Sequence, residues 1–213
     1  MTSQSSTEIV PLTSEHRQSV INLIMGSFFT QEPLNAKLQF DIPHEPLSWV
    51  DHIFDAGIRD QCSFVAIDTT TPHKEVVGVI LNGIATRTDA ADSLNTTSEK
   101  LNFIFTLIDK VSEGHDLFDL YKTDRLFHCD IINIDEKQRG QNLSARLVTA
   151  SLDKARQLGI KGAYVVCSSL FSRKAFIRQG FQVINEVMYS NYGNGRLTDM
   201  GVHDRCSLLA REL

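Results

Sequence analysis

Apolar residues recur along this chain at two spacings, and the order in which the spacings change lays out its elements. Residues 8–12 read as a short strand. Thr13 or Ser14 followed by Glu15 is a helix start, and Val20, Leu23, Ile24 and Phe28 then recur at helical intervals until about Phe29. Residues 30–35 form a break. Pro33 disfavours helical geometry at Glu32 and leaves that carboxylate on an irregular turn beside Phe28, Phe29 and Leu34. Pro46 opens a second helix with Leu47, Val50, Phe54 and Ile58 on its buried side. Residues 63–68 and 76–87 are paired strands around a turn at 69–74, and 88–98 is a polar connection. Thr96 and Glu99 have capping-box spacing ahead of a third helix carrying Leu101, Ile104, Ile108 and Val111, which Gly114 can end.

The second half is organised around one turn. An apolar, β-branched run, Ile131, Ile132 and Ile134, feeds a polar bend containing Arg139, Gly140, Gln141 and Asn142. The bend opens an amphipathic helix with Leu143, Leu147, Val148, Ala155 and Leu158 on one side. Gly159 ends that helix, residues 163–166 form the next strand, 168–179 a short helix closed by Gly180, and 181–189 and 206–211 the last two strands. Paired strands followed by strand, helix, strand, helix predict an α/β (α+β) fold: a mixed, mostly antiparallel sheet with helices on both faces. With no internal repeat or linker composition, residues 1–213 are expected to form one domain.

Composition narrows the partners. The 213 residues are 42% hydrophobic and 22% charged, enough for one filled core. No apolar run approaches the roughly 20 residues that span a bilayer, and residues 1–8 lack the apolar stretch of a signal peptide, so a cytoplasmic location is expected. Cys62, Cys129, Cys167 and Cys206 are widely spaced and lack a zinc-ligand pattern, which predicts reduced, buried thiols and no metal. Cys167 alone also has a nucleophilic reading, from its place near the candidate site. A net charge of −5 without a basic block argues against nucleic acid and acidic membranes and suits a cationic small molecule. A monomer is the expected state, with a dimer as the alternative.

The first amides of the helix after the Arg139 turn lack intrahelical partners and sit at the positive end of its dipole, which suits a phosphate or pyrophosphate. Strand, turn and helix is also the commonest way to cross a sheet. However, Arg139, Gly140, Gln141, Asn142, Leu143 and Ser144 resemble the acetyl-CoA loop of the GNAT superfamily of N-acetyltransferases. That loop reads Arg or Gln, two residues, Gly, one residue, then Gly or Ala. Asn142 replaces the central glycine and Ser144 the final small residue; Asn tolerates positive φ best among non-glycine residues, and Ser is small. The resemblance implies a GNAT-like sheet and acetyl-CoA as cosubstrate, held by Ile134, Asp135, Arg139, Gly140, Gln141, Asn142, Leu143 and Ser144.

Three further stretches extend the resemblance over nearly the whole chain: Phe28, Phe29, Glu32, Pro33, Leu34 and Asn35; Leu81, Asn82 and Gly83; and Cys167, Ser168, Ser169, Ser172, Gly180 and Phe181. Together they resemble the insect type of arylalkylamine N-acetyltransferase, including dopamine N-acetyltransferase. The resemblance implies a general base at Glu32, catalytic serines at Ser168 and Ser172, and an amine pocket beside Phe28, Phe29 and Pro33, with His203 lining it or ordering water. An alkylammonium has a pKa near 10, so about one molecule in a thousand is free amine at pH 7, and a base must take its proton. Glu32 is the candidate base, directly or through water; holding the ammonium by charge is a compatible second role, and a solvated loop carboxylate before a proline is the reading the residues alone favour. Many GNAT enzymes carry a tyrosine four residues before the closing glycine, to protonate the leaving thiolate. Phe176 stands there and has no proton to give, while Ser172, one turn earlier, has one. Ser168, Ser169 and Ser172 each also read as an N-terminal helix cap. The oxyanion donors implied are backbone amides of residues 132–135. The expected activity is acetyl transfer to small aromatic monoamines in a ternary complex; the alternatives are polyamines or other alkylamines, or a degenerate GNAT domain that binds acyl-CoA without turnover.

Overall fold

Seven strands build one sheet: β1 (Thr7–Pro11), β2 (Phe64–Asp68), β3 (Val76–Thr86), β4 (Arg125–Ile134), β5 (Gly162–Cys167), β6 (Gln182–Met188) and β7 (Arg205–Glu212), in the spatial order β1-β2-β3-β4-β5-β7-β6. The computed structural model describes residues 7–70, 72–88 and 96–213; most of the expected polar connection, 89–95, lies outside them. Every neighbouring pair is antiparallel except β4 with β5. Both faces of the sheet are covered, which is why β3 is apolar almost without interruption from Val76 to Leu81 instead of alternating.

One face packs under α7 (Leu143–Gln157) and α8 (Leu170–Arg178), whose Leu147, Val148, Ala155 and Phe176 meet Ile80, Phe127, Val165 and Leu209. The other face is divided between two clusters. Val20 of α1 (Arg17–Leu23) and Val50 and Phe54 of α4 (Leu47–Asp60) lie on Val65, Val79, Leu81 and Ile131. Leu107 and Val111 of α5 (Glu99–Ser112) and Leu117 of α6 (Leu117–Tyr121) lie on Leu126 and Leu208.

The chain departs from the sequence expectation in four places. The first helix does not fray at Phe29. It widens into a π-helical turn, Ile24–Phe28, and continues as α2 (Phe29–Gln31). The break is confined to Glu32, whose extended backbone ends one helix and caps another, α3 (Pro33–Leu38). Pro33 at the first helical position is preorganised for that start, so the residue that breaks one helix begins the next. Ser98, not Thr96, caps α5: its hydroxyl accepts from the Leu101 amide at 3.3 Å, while Thr96 Oγ1 accepts from the Ser98 amide at 3.1 Å. Glu99 is then the first helical residue and pairs with Arg196 at 3.1 Å instead of closing a box. The five-residue α6, capped by Asp116, is additional.

Candidate active site

β4 and β5 are paired only from Leu126↔Gly162 to Cys129↔Val165. Beyond that point β5 stays with β7 and β4 stays with β3, so the two central strands part. A register shift helps them separate: Leu81 faces Ile131 and Asn82 faces Cys129, leaving Asp130 as an extra residue that bends β4. The Asn82 amide group is buried behind this bend, donating to Cys62 O at 2.7 Å and Ser151 Oγ at 3.0 Å. The bare Cα of Gly83 makes room for the His128 ring, whose Nε2 lies 2.5 Å from where a Cβ would stand. The separation opens a cleft of about 590 Å³.

The Arg139 bend and the start of α7 form one wall. Gly140 has φ +83° and Asn142 φ +60°, ψ 19°, so the asparagine adopts the left-handed conformation the loop requires. Arg146 N–H is the first in α7 to reach an intrahelical carbonyl, that of Asn142 at 3.2 Å. The amides of Leu143, Ser144 and Ala145 therefore lie ahead of the ladder, at the positive helix end. Ile134, Arg139, Gly140, Asn142, Leu143 and Ser144 line the cleft. Asp135 and Gln141 do not. The Asp135 amide donates to Val77 O and its carboxylate caps the next turn at Lys137 N, both at 2.9 Å, and Gln141 is exposed with its amide on Gln138 Oε1 at 2.6 Å. The Arg139 guanidinium donates to Gln31 Oε1.

Glu32 comes in from the opposite wall, 136 residues away in sequence from the serine it meets. Its Oε1 accepts from Ser168 Oγ at 2.7 Å and its Oε2 from the Asn35 amide at 2.9 Å. Burial pushes this carboxyl above the usual glutamate range; the hydrogen bonds from Ser168 and the Asn35 and Leu34 amides offset part of the rise. Ser168 is held in turn by Tyr189, whose buried hydroxyl donates to the Ser168 carbonyl at 2.5 Å. The cap of α8 is Ser169, which accepts from Ser172 N at 3.0 Å. Ser172 Oγ lies 2.9 Å from Ser169 Oγ and 3.1 Å from the Ser169 carbonyl, on the cleft wall. His203 Nδ1 accepts from Leu170 N at 3.1 Å, so its neutral ring carries the proton on Nε2, and burial holds its pKa below the ordinary value. Burial lifts the Cys167 thiol to about 12, which fits packing and not nucleophilic use.

Residues 97–201 match the acetyltransferase (GNAT) domain family. This chain is similar to that family over β4, the Arg139 bend, α7, β5 and α8, the elements that build the cleft. Its whole fold agrees: arylalkylamine N-acetyltransferase 2 from Aedes aegypti superposes with a TM-score of 0.85 at 22% identity, over 98% of this chain and 99% of that one. Arylalkylamine N-acetyltransferase 7 from the same mosquito gives 0.83 at 21%, over 97% and 87%. The Drosophila melanogaster polyamine N-acetyltransferase gives 0.77 at 17%, over 97% and 100%. At these identities the likeness is one of fold.

Of the side chains expected beside the amine, Phe28, Pro33 and His203 line the cleft and Phe29 does not. Phe29 is 2% exposed and packs edge-on against Phe40 and Trp49 in the core, while the adjoining Phe28 ring, 5.4 Å away, reaches the cleft. The cleft also recruits Gln31, Asp130, Asn133, Phe171 and Phe176. Asp130 Oδ1 lies 3.2 Å from His128 Nδ1; burial opposes the imidazolium, but Asp130 and Asp60 outweigh it, and the His128 pKa is raised. Asn133 carried a sequence cue, an amide inside an isoleucine run. Tyr189 carried none. Among the described residues no cluster of three or more His, Cys, Asp or Glu could hold a metal, and no helix is long and apolar enough to cross a membrane.

Proposed function

We propose that this chain is an acetyl-CoA-dependent N-acetyltransferase of small aromatic monoamines, acting by direct attack within a ternary complex. The observation that carries this reading is the Glu32–Ser168 pair, a buried carboxyl of raised pKa at the point where β4 and β5 part. The cleft fits the cosubstrate: the forward amides of α7 and the Arg139 guanidinium suit a pyrophosphate, and the parted edge of β4 offers backbone groups to an extended arm. Bound there, the thioester supplies an activated acyl carbon. Glu32 takes a proton from the alkylammonium, aided by its raised basicity, and holds the free amine beside that carbon. The C–N bond forms as the C–S bond breaks, and one alkylammonium and one thioester give one acetamide, one thiol and one released proton. Ser172, hydroxyl-bearing on the same wall as Phe176, relays the second proton of the attacking nitrogen to the leaving sulfur and ends as a hydroxyl again, while Glu32 releases the first to solvent. Transfer is direct because the buried Cys167 is a poor nucleophile.

Two observations support an aromatic amine. Phe28, Pro33 and Phe171 line the same cleft as the carboxyl, and Phe171 is 68% exposed with its ring edge-on to His203 at 5.3 Å. The cleft's second acid, Asp130, is paired with His128, so among the described residues no second free carboxylate lines it for a distant cation. The polyamine reading is kept by the likeness to the Drosophila polyamine enzyme. A thiol-release assay with acetyl-CoA across tryptamine, dopamine, tyramine, spermidine and a lysine peptide separates the two. Turnover highest with the three aromatic amines is expected; spermidine in the lead overturns the aromatic assignment, and no thiol release with any amine overturns the enzymatic one.

A further inference from the structure

The π-helical turn is the least regular backbone near the cleft, and one side chain from the sheet holds it. Asn133 of β4 is 6% exposed; its Nδ2 donates to Ser27 Oγ at 2.6 Å and to the Leu23 carbonyl at 3.2 Å. Ser27 Oγ donates to the same carbonyl at 2.8 Å. A π-helical turn holds one residue more than an α-helical turn, which shifts everything after it by about 100° around the helix axis. That offset puts Phe28, Gln31 and Glu32 on the cleft side and Phe29 in the core. The chain then passes directly to the carboxyl: Glu32 N donates to Phe28 O at 2.9 Å, and Phe28 O also receives Asn35 Nδ2 at 3.5 Å.

We propose that Asn133 is a positioning residue for Glu32, fixing the widened turn to β4 so that the carboxyl meets the strand edge where transfer takes place. The proposal rests on the reading of Glu32 as the base. A regular α-helical turn at 24–28 would leave Leu23 O and Ser27 bonded within the helix and would rotate Glu32 away from Ser168. Asn133 Nδ2 and Ser27 Oγ both donate to the Leu23 carbonyl, so the wide turn is tied to β4 at that oxygen. Asn133 thus ties the wall that carries the base to the strand that carries the oxyanion donors.

The test uses Asn133→Leu, which keeps volume and removes both donors, and Ser27→Ala, a milder change that keeps the direct Asn133–Leu23 bond. Each is measured in the unaltered chain and in a Glu32→Gln background, by thiol release and by amide hydrogen exchange over 24–32. Asn133→Leu is expected to lower kcat about ten- to hundredfold and Ser27→Ala about threefold, with KM for acetyl-CoA within twofold and faster exchange in the turn. In the Glu32→Gln background both losses shrink to within twofold, since there is no longer a base to misplace. Equal losses in both backgrounds, or unaltered exchange, overturn the proposal even if Asn133→Leu folds poorly, because Ser27→Ala gives the same comparison. Wild-type turnover in Glu32→Gln alone overturns the base assignment instead, and exchange still decides whether Asn133 holds the turn.

Discussion

Ser168→Ala separates two roles that a hydroxyl at this position can play. Ser168 Oγ donates to Glu32 Oε1 at 2.7 Å, a hydrogen bond that favours the charged carboxylate. Hydrogen bonds to charged groups contribute about 1.5–3 kcal/mol, and each 1.36 kcal/mol of differential stabilisation is one pKa unit, so removing this bond raises the Glu32 pKa by about one to two further units. The Asn35 amide at 2.9 Å remains and keeps the carboxyl in place. The assay is kcat/KM for tryptamine against pH at saturating acetyl-CoA. Its acid limb reports deprotonation of the base in the acetyl-CoA-bound enzyme that meets the amine, and in Ser168→Ala that limb should move about one to two pH units upward while the plateau stays within roughly threefold. A plateau lower by a hundredfold or more, with the limb unmoved, would refute the reasoning. Ser168 would then act on the reacting atoms and not on Glu32.

Other expected outcomes follow from single geometries. Asn142→Gly, at φ +60° and without a side-chain cap bond, should keep acetyl-CoA affinity within about twofold by calorimetry, whereas Asn142→Val should weaken it about tenfold through the roughly 1–2 kcal/mol cost of a left-handed backbone. Phe171→Ala should lower kcat/KM for tryptamine about two- to tenfold, the worth of one aromatic contact, and leave spermidine unchanged. Glu186 receives Arg173 at 2.9 Å, Arg205 at 2.8 Å and Ser207 at 2.9 Å, tying α8 to β6 and β7. Glu186→Ala should therefore cost on the order of 2 kcal/mol in thermal or urea unfolding at pH 7. Burial pushes this carboxyl up, but Arg205, Ser207 and Arg173 outweigh it and leave its folded pKa lowered. Its stabilisation is thus full above the unfolded value near 4.3 and lost as pH falls through the folded value, so the two melting curves should converge in acid.

The parts of this site that follow from local chemistry were readable from the sequence. The Arg139 bend lies between a β-branched run and a 15-residue amphipathic helix, and the tolerance of asparagine for positive φ anticipated the backbone at Asn142. The interruption at Glu32 followed from Pro33 alone. Other features depend on distances no periodicity encodes. A π-helical turn changes the apolar spacing by a single residue over one turn, too little to distinguish Phe28 from Phe29 as the cleft residue. The helices at 33–38 and 117–121 span fewer than two turns, so their apolar spacing is indistinct from chance. Ser98 won the α5 cap over Thr96 because only its backbone is extended immediately before the first helical residue. The enclosure of Glu32 required Ser168, which only the crossing from β5 to α8 brings within 2.7 Å.

Where β4 and β5 part, several irregular stretches of backbone are each met by a specific side chain. Asn133 and Ser27 satisfy the wide turn at Leu23 O. Glu32 caps α3, Ser169 caps α8, and His203 takes the Leu170 amide. Asp130 turns its carboxylate to His128. Two features facing the cleft are left to other partners: the forward amides of α7, which the side chain of Asn142 does not cap, and the edge of β4 on its β5 side, which β5 no longer pairs beyond Cys129. Buried or half-buried backbone groups need partners, and here the two sets lie along one cleft, a cluster of outward amides at one end and a bare strand edge along it. A ligand that satisfies both has an anionic head for the amides and an extended, amide-bearing arm for the strand. In the proposed mechanism such an arm ends beside Glu32. The raised basicity of that carboxyl is therefore placed to act on whatever amine meets the tip, and a ligand that held the amides without running along β4 would gain nothing from it.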